Sequence, residues 1–302
     1  MGTGTFDPGK YRSFANTTVG KTTDQVYTAR AIKDTLNPKG VKIRESRDSA
    51  DNPNSTPIIV AIDVTGSMGM LADVIARKGL GTLFEGIIDR KPVADPHVMF
   101  MAVGDVACDK APLQVSQFEA DNRIVEQLTD IYIEHGGGGN GWESYELPWY
   151  FAAFHTVHDS LIKRGKRGYL FTIGDEPIGP GLHKSELVKF LDDGAERDYS
   201  TIECLEAARR MYDCYHVVIK EGSHARSDLS GVLNTWQPLL GQHVIQLDDH
   251  TKISETIVSA IEVAEGRDAH ASTAGWGTSA HVVLEAVKHL PRGAPLKMLG
   301  AP

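Results

Sequence analysis

The segment Asp63-Val64-Thr65-Gly66-Ser67 sets a carboxylate and two hydroxyls at alternate positions. If the chain turns sharply there, three oxygens converge on one point, and Gly66 permits such a turn. Hard oxygen donors suit Mg2+, with Mn2+ and Ca2+ as alternatives. A plain strand-to-helix turn, with Ser67 capping the helix and Asp63 favouring its N-terminus, explains the same residues without a metal. Further acids follow at Asp105, Asp109 and Asp175, and the loop His135-Gly-Gly-Gly-Gly-Asn140-Gly-Trp142-Glu143-Ser144 adds three oxygen-bearing side chains after its glycines.

The elements that must position these groups are legible in the apolar pattern. Ile58-Ile59-Val60-Ala61-Ile62 is a continuous, mostly β-branched run ending at Asp63, which predicts a strand buried on both faces. Leu71, Val74, Ile75, Leu83, Phe84, Ile87 and Ile88 recur mostly at three- and four-residue spacing, predicting an amphipathic helix of about five turns. His97–Val103, Leu113–Val115, Tyr169–Ile173, His216–Ile219 and His243–Leu247 read as further strands. Helices are predicted over about 121–132, around Trp149–Phe154, from the capping box at Ser200–Glu203 to about Tyr212, over Val232–Leu240, and up to Gly266. Strands alternating with helices predict a Rossmann-like, doubly wound α/β fold: a mostly parallel central sheet with helices on both faces. In such sheets ligands sit at the carboxyl ends of the strands, where Asp63 and Asp175 stand.

With those residues in view, Ile58–Met68 (IIVAIDVTGSM) resembles the first metal motif of von Willebrand factor A domains, Asp-x-Ser/Thr-x-Ser after an apolar strand. Leu170–Asp175 (LFTIGD) is similar to the third motif, an aspartate closing a central strand. The resemblance covers about residues 56–266, and leaves an extended lead-in, 1–55, and a partly helical or loose tail, 267–302. It implies that Asp63, Thr65, Ser67 and Asp175 hold a divalent cation whose open position a protein partner's Asp or Glu completes. The family's second motif commonly supplies a threonine, and none stands in the glycine loop. Asn140 is the preferred substitute, followed by Glu143 and Ser144, with no ligand at all as the other reading. The Asp-x-Thr-Gly-Ser-Met form resembles bacterial or phage intracellular A-domain proteins, some of which are adaptors of MoxR-type AAA+ ATPases. No enzyme activity is implied.

The chain as a whole fits that reading. Its 302 residues are 41% apolar, enough for a sizeable core, and 40 acids against 31 Lys and Arg give a net charge of -9. That balance argues against nucleic acid or anionic membrane as partners. Neither a signal peptide nor a run of ~20 apolar residues is present, so a cytoplasmic location is expected. Three cysteines, Cys108, Cys204 and Cys214, form neither a disulfide framework nor a zinc pattern. Gly136-x-Gly138-x-x-Gly141 fits the dinucleotide fingerprint formally but lies far beyond the first strand. His155, His158 and Asp159 would share one helix face, without a convincing third metal ligand. Two alternatives stay open: a metal-dependent phosphate-ester hydrolase with Asp63 as nucleophile, although Thr65 stands where its acid/base would, and a structural component of a larger particle.

Overall fold

A computed structural model describes residues 4–18, 20–66, 80–133 and 140–293. Ser67, the first half of the helix predicted after it, and Gly136 and Gly138 of the glycine loop lie outside the described residues. The strands are β1 (Arg44–Ser46), β2 (Ser55–Asp63), β3 (Asp95–Val103), β4 (Leu113–Val115), β5 (Thr156–His158), β6 (Gly168–Gly174), β7 (Tyr212–Ile219) and β8 (Val244–Leu247).

Six of them form the main sheet in the order β4-β3-β2-β6-β7-β8. All neighbours are parallel except the short edge strand β4. This is the doubly wound α/β sheet predicted above. The chain winds outward from β2 to β3 in one direction and from β6 through β7 to β8 in the other. The winding therefore reverses between β2 and β6, which are hydrogen-bonded neighbours from Ile58↔Tyr169 to Ile62↔Ile173. At such a switch point the helices diverge to opposite faces and leave a crevice at the carboxyl ends of the strands.

The uninterrupted apolar character of β2 follows from being covered twice. Ile58, Val60 and Ile62 face one core, with Leu83 and Ile87 of the helix Leu80–Arg90 and Val258 and Ile261 of the helix Ile253–Ala264. Ile59 and Ala61 face the other, with Trp149 and Phe151 of the helix Glu146–Phe154 and Val232 and Trp236 of the helix Ser223–Leu240. Both layers are apolar, and every residue of β2 is buried.

Both flanking segments join this body. Phe6 and Tyr11, at the helix Pro8–Thr18, and Ala286, Val287 and Leu290, at the helix Ala280–Val287, all enter the first core. β1 pairs in parallel with β5 as a separate two-stranded sheet. The helix Ala269–Thr273 is tied through Arg90, whose guanidinium bonds both oxygens of the buried Glu262 at 3.0 Å, donates to the Ser272 carbonyl and lies 4.3 Å over the Trp276 ring. Among the described residues no helix is long and apolar enough to cross a membrane.

One expectation fails here. His155, His158 and Asp159 do not share a helix face: His155 ends the helix Glu146–Phe154, His158 closes β5, and Asp159 opens the helix Asp159–Arg164. The side chains are spent on structure. His158 Nδ1 accepts from Leu161 N, while Asp159 pairs with Arg47 and Lys163. Continuous helical periodicity cannot be told from a helix broken by a three-residue strand when the breaking residues are polar.

Candidate metal centre

β2 delivers Asp63 to the switch point wholly buried. Its Oδ1 accepts from the Thr65 amide at 2.8 Å and the Thr65 hydroxyl at 2.6 Å, which folds the chain back immediately after the strand. Its Oδ2 accepts from the Tyr145 hydroxyl at 3.1 Å. Burial pushes the Asp63 carboxyl up to about 7, against the Thr65 hydrogen bonds, and the charges of Asp175 and Glu176 push the same way.

Asp175 arrives from the neighbouring strand, directly after β6, and is also wholly buried. Its Oδ2 accepts from the His224 amide at 2.8 Å, in the short helical stretch that opens Ser223–Leu240 before the non-helical backbone at Asp228 (φ -146°, ψ 67°) interrupts it. Gly222 makes the approach possible. A Cβ on it would lie 2.3 Å from Asp175 Oδ2. Gly174 does the same for Tyr145, since a Cβ there would meet the phenolic oxygen at 1.8 Å. Tyr145 is further fixed by edge contacts with His216 and Trp236 at 5.1 and 5.2 Å between ring centres.

The loop after β3 supplies a second group of acids. Asp109 Oδ2 accepts from the Asp105 amide at 2.7 Å, and Asp105 Oδ2 accepts from Asn140 Nδ2 at 2.5 Å and from the Cys108 thiol at 2.6 Å. The structure thus joins Asn140, an exposed side chain, to Asp105. Ser144 is engaged by the same loop, its hydroxyl accepting from the Val106 amide at 3.0 Å. Although Cys108 is exposed, partial desolvation of its thiol, then the hydrogen bond to Asp105, pushes it up to about 12, far from a nucleophilic thiolate.

Glu143 differs from both. It is 4% exposed, and its Oε2 is buried with no hydrogen-bond partner among the described residues. Its backbone is anchored to the loop that follows Asp175: the Glu143 amide donates to Pro177 O at 3.2 Å, and the Gly179 amide donates to Glu143 O at 3.1 Å. Burial and then the negative charges of Asp63, Glu176, Asp109 and Asp105 push its carboxyl up to about 10. Glu146, one turn on, is buried too: its Oε1 accepts at 3.0 Å from both Gly181 N and the Thr201 hydroxyl, while its Oε2, like Glu143 Oε2, has no hydrogen-bond partner among the described residues.

The donor set fits a hard divalent cation. Asp63 and Asp175 close neighbouring strands and Thr65 is bonded to Asp63, and all three offer hard oxygen donors. The Glu143 carboxyl does not join Asp63 and Asp175 within 4.8 Å, a spacing that only Glu221, Asp249 and His250 reach as a group of three among the described acids, histidines and cysteines. Asp63 and Asp175 stand at the carboxyl ends of β2 and β6, with Thr65 bonded to Asp63, while Ser67 lies outside the described residues. Tyr145 was not foreseen. It reaches Asp63 across 82 residues, and its only local signal was its place beside Glu143 and Ser144.

No protein-family profile matches the chain, and no curated protein matches it. Among solved structures the chain is similar to the pilus adhesin SpaC from Lactobacillus rhamnosus GG in its open conformation, at 10% identity and TM-score 0.48 over 74% of this chain and 31% of that one. A second form of that adhesin gives 10% and 0.46 over 74% and 32%. A von Willebrand factor type A protein from Catenulispora acidiphila gives 15% and 0.37 over 70% and 43%. The match thus spans about a third of the adhesin and under half of the A-type protein. Scores and identities this low carry nothing about partner, ligand or activity.

Proposed function

We propose that the chain is a metal-dependent protein-interaction module: a divalent cation, Mg2+ by preference and Mn2+ or Ca2+ in its place, sits at Asp63, Thr65 and Asp175, and an acidic side chain of a partner completes its shell. One observation carries this reading. Two carboxylates are brought side by side, wholly buried, where the sheet's winding reverses. Burying like charges together is costly, and a bound cation offsets the cost. The cation's contribution is to offer a positive position to an anion; the chain's residues hold it, with Tyr145 and the Thr65 amide orienting Asp63 and the His224 amide orienting Asp175.

The arrangement favours binding over hydrolysis. Both oxygens of Asp63 are engaged by donors and the residue is buried, which is poor placement for a nucleophile, and Thr65 offers no proton-accepting carboxylate beside it. The partner class follows the resemblance alone: an acidic surface of an assembly complex, with a MoxR-type AAA+ ATPase in the cytoplasm of a bacterium or phage-infected cell as its instance. The test is capture of partners from lysate on immobilised chain, with Mg2+ and with chelator, beside Asp63→Asn. The reading expects a partner retained only by the wild-type chain with metal. Retention unaffected by chelator and by the substitution, or phosphatase turnover abolished by Asp63→Asn, would overturn it.

A further inference from the structure

We propose that the cleft at the amino ends of β2 and β3 binds a small zwitterion, an apolar α-amino acid. It lies at the opposite end of the sheet from Asp63, shares no residue with the metal site and does not rest on it. The cleft measures about 190 Å3. Its walls come from the lead-in at Phe6, the loop before β2 at Asp51 and Asn52, the helix Leu80–Arg90 at Ile87 with Lys91 just beyond it, and the start of β3 at Asp95. That is more room than the roughly 150 Å3 in which a single benzene ring is held.

Three observations carry the proposal. First, the walls are fixed and partly apolar. The lead-in is pinned on both sides of Phe6: Asn52 Nδ2 donates to the Gly4 carbonyl at 3.0 Å, and the Asn122 amide group accepts from Asp7 N at 2.7 Å and donates to Asp7 O at 3.0 Å. Phe6 and Ile87 are both buried against the core and turn an apolar surface to the cleft. Second, Lys91 is strained. Its amide closes the helix onto Ile87 O at 2.9 Å with φ at 46°, the left-handed position where glycine is the usual residue because a Cβ there costs energy. Only Lys91 and Asp192 adopt such a φ among the described residues other than glycine. Third, the charges of the cleft do not satisfy one another. The Lys91 ammonium and the Asp51 carboxylate make no ion pair or hydrogen bond among the described residues, and Asp95 spends only Oδ2, which accepts from Asn54 N at 2.6 Å. A backbone outlier beside a cleft points to a role for the side chain held there. A ligand with both charges uses every group: its carboxylate meets Lys91, its ammonium meets Asp51 or Asp95, and its side chain lies on Phe6 and Ile87.

The experiment titrates the full chain with leucine and reads the amide chemical shifts of Phe6, Asn52 and Ala120. Two probes lack one charge each: 4-methylpentanoate has no amine, and 3-methylbutylamine has no carboxylate. Leucine is expected to shift all three amides with a millimolar dissociation constant, and each probe to bind about tenfold more weakly. Lys91→Gly should weaken leucine by about tenfold while melting no lower than the wild type, since glycine relieves the left-handed backbone. Lys91→Arg, which keeps the charge, should retain binding. Asp95→Asn, whose oxygen can still accept from Asn54 N, should weaken leucine and leave 4-methylpentanoate unchanged. No shift of these amides up to the solubility of leucine would overturn the proposal. So would equal binding of leucine and both probes, which would mean a cleft that takes any apolar body, or leucine binding untouched by Lys91→Gly and Asp95→Asn.

Discussion

Replacing Asp63 by asparagine should have opposite effects on the metal-free and metal-loaded chain. The amide is isosteric: its oxygen still accepts from Thr65, and its nitrogen donates to the Tyr145 oxygen, which merely reverses its role. What changes is the charge. Asp63 titrates near 7 in the folded chain against 3.8 for an ordinary aspartate, so the folded state binds the proton more tightly than the unfolded state does. Ionisation therefore costs the fold. Its stability is greatest below about pH 4, falls as the pH rises towards 7, and levels off above it. A gap of about three pH units corresponds to at most roughly 4 kcal/mol. In chelator at pH 8, Asp63→Asn should melt higher than the wild type, by up to about 10 °C, and the difference should vanish near pH 4. With Mn2+ at about a hundredfold over its dissociation constant the wild type gains roughly 2.7 kcal/mol at this site, and the variant gains only what the separate group Glu221, Asp249 and His250 contributes in both chains. The assay is thermal unfolding by far-ultraviolet circular dichroism over pH 4–8, with chelator and with metal. Equal melting of the two chains in chelator at pH 8, together with equal response to metal, would refute the reasoning.

The same physics sets expectations at two other positions. Gly222→Ala adds a Cβ within 2.3 Å of Asp175 and so must push that carboxylate off the His224 amide; metal-induced stabilisation should be lost, with about 1–3 kcal/mol of destabilisation by urea titration. A full metal response in that variant would mean Asp175 is not a ligand. Arg90→Ala removes the two-point partner of Glu262, which keeps the Arg267 guanidinium at 2.7 Å and the Ser272 hydroxyl at 2.8 Å, and removes the contact over Trp276, so a loss of about 1.5–3 kcal/mol is expected. Amide exchange should quicken over Ala269–Val287 while Mn2+ affinity stays within about twofold, since the tail lies outside the proposed ligand set. Exchange unchanged in that segment would show that Arg90 does not tether it.

Much of the scaffold was written locally. The run Ile58–Ile62 ending at Asp63 and the run Tyr169–Ile173 before Asp175 are strands because dry cover on both faces demands unbroken apolar sequence, and the alternation of strands with amphipathic helices then leaves few topologies. Where a short signal was also polar, it failed, whereas the equally short but apolar-ended β4 was legible. β1 and β5, each three residues long, gave no periodicity to read, and polar β5 hid the break that separates His155 from Asp159.

The sequence by itself determined that an aspartate would close each of two buried strands and that hydroxyls would follow the first. Only the tertiary structure decided that those strands are neighbours at the reversal of winding, that Tyr145 joins Thr65 in holding Asp63, and that Asn140 and Ser144 bond to the segment after β3 while Glu143 is buried with Oε2 undonated. The reason is range. Propensity and hydrophobic period report a residue's own neighbourhood over a few turns or one strand, whereas the crevice is assembled from positions 63, 145 and 175, which meet only because strand order, glycine at 174 and 222, and two interlocked loops bring them there.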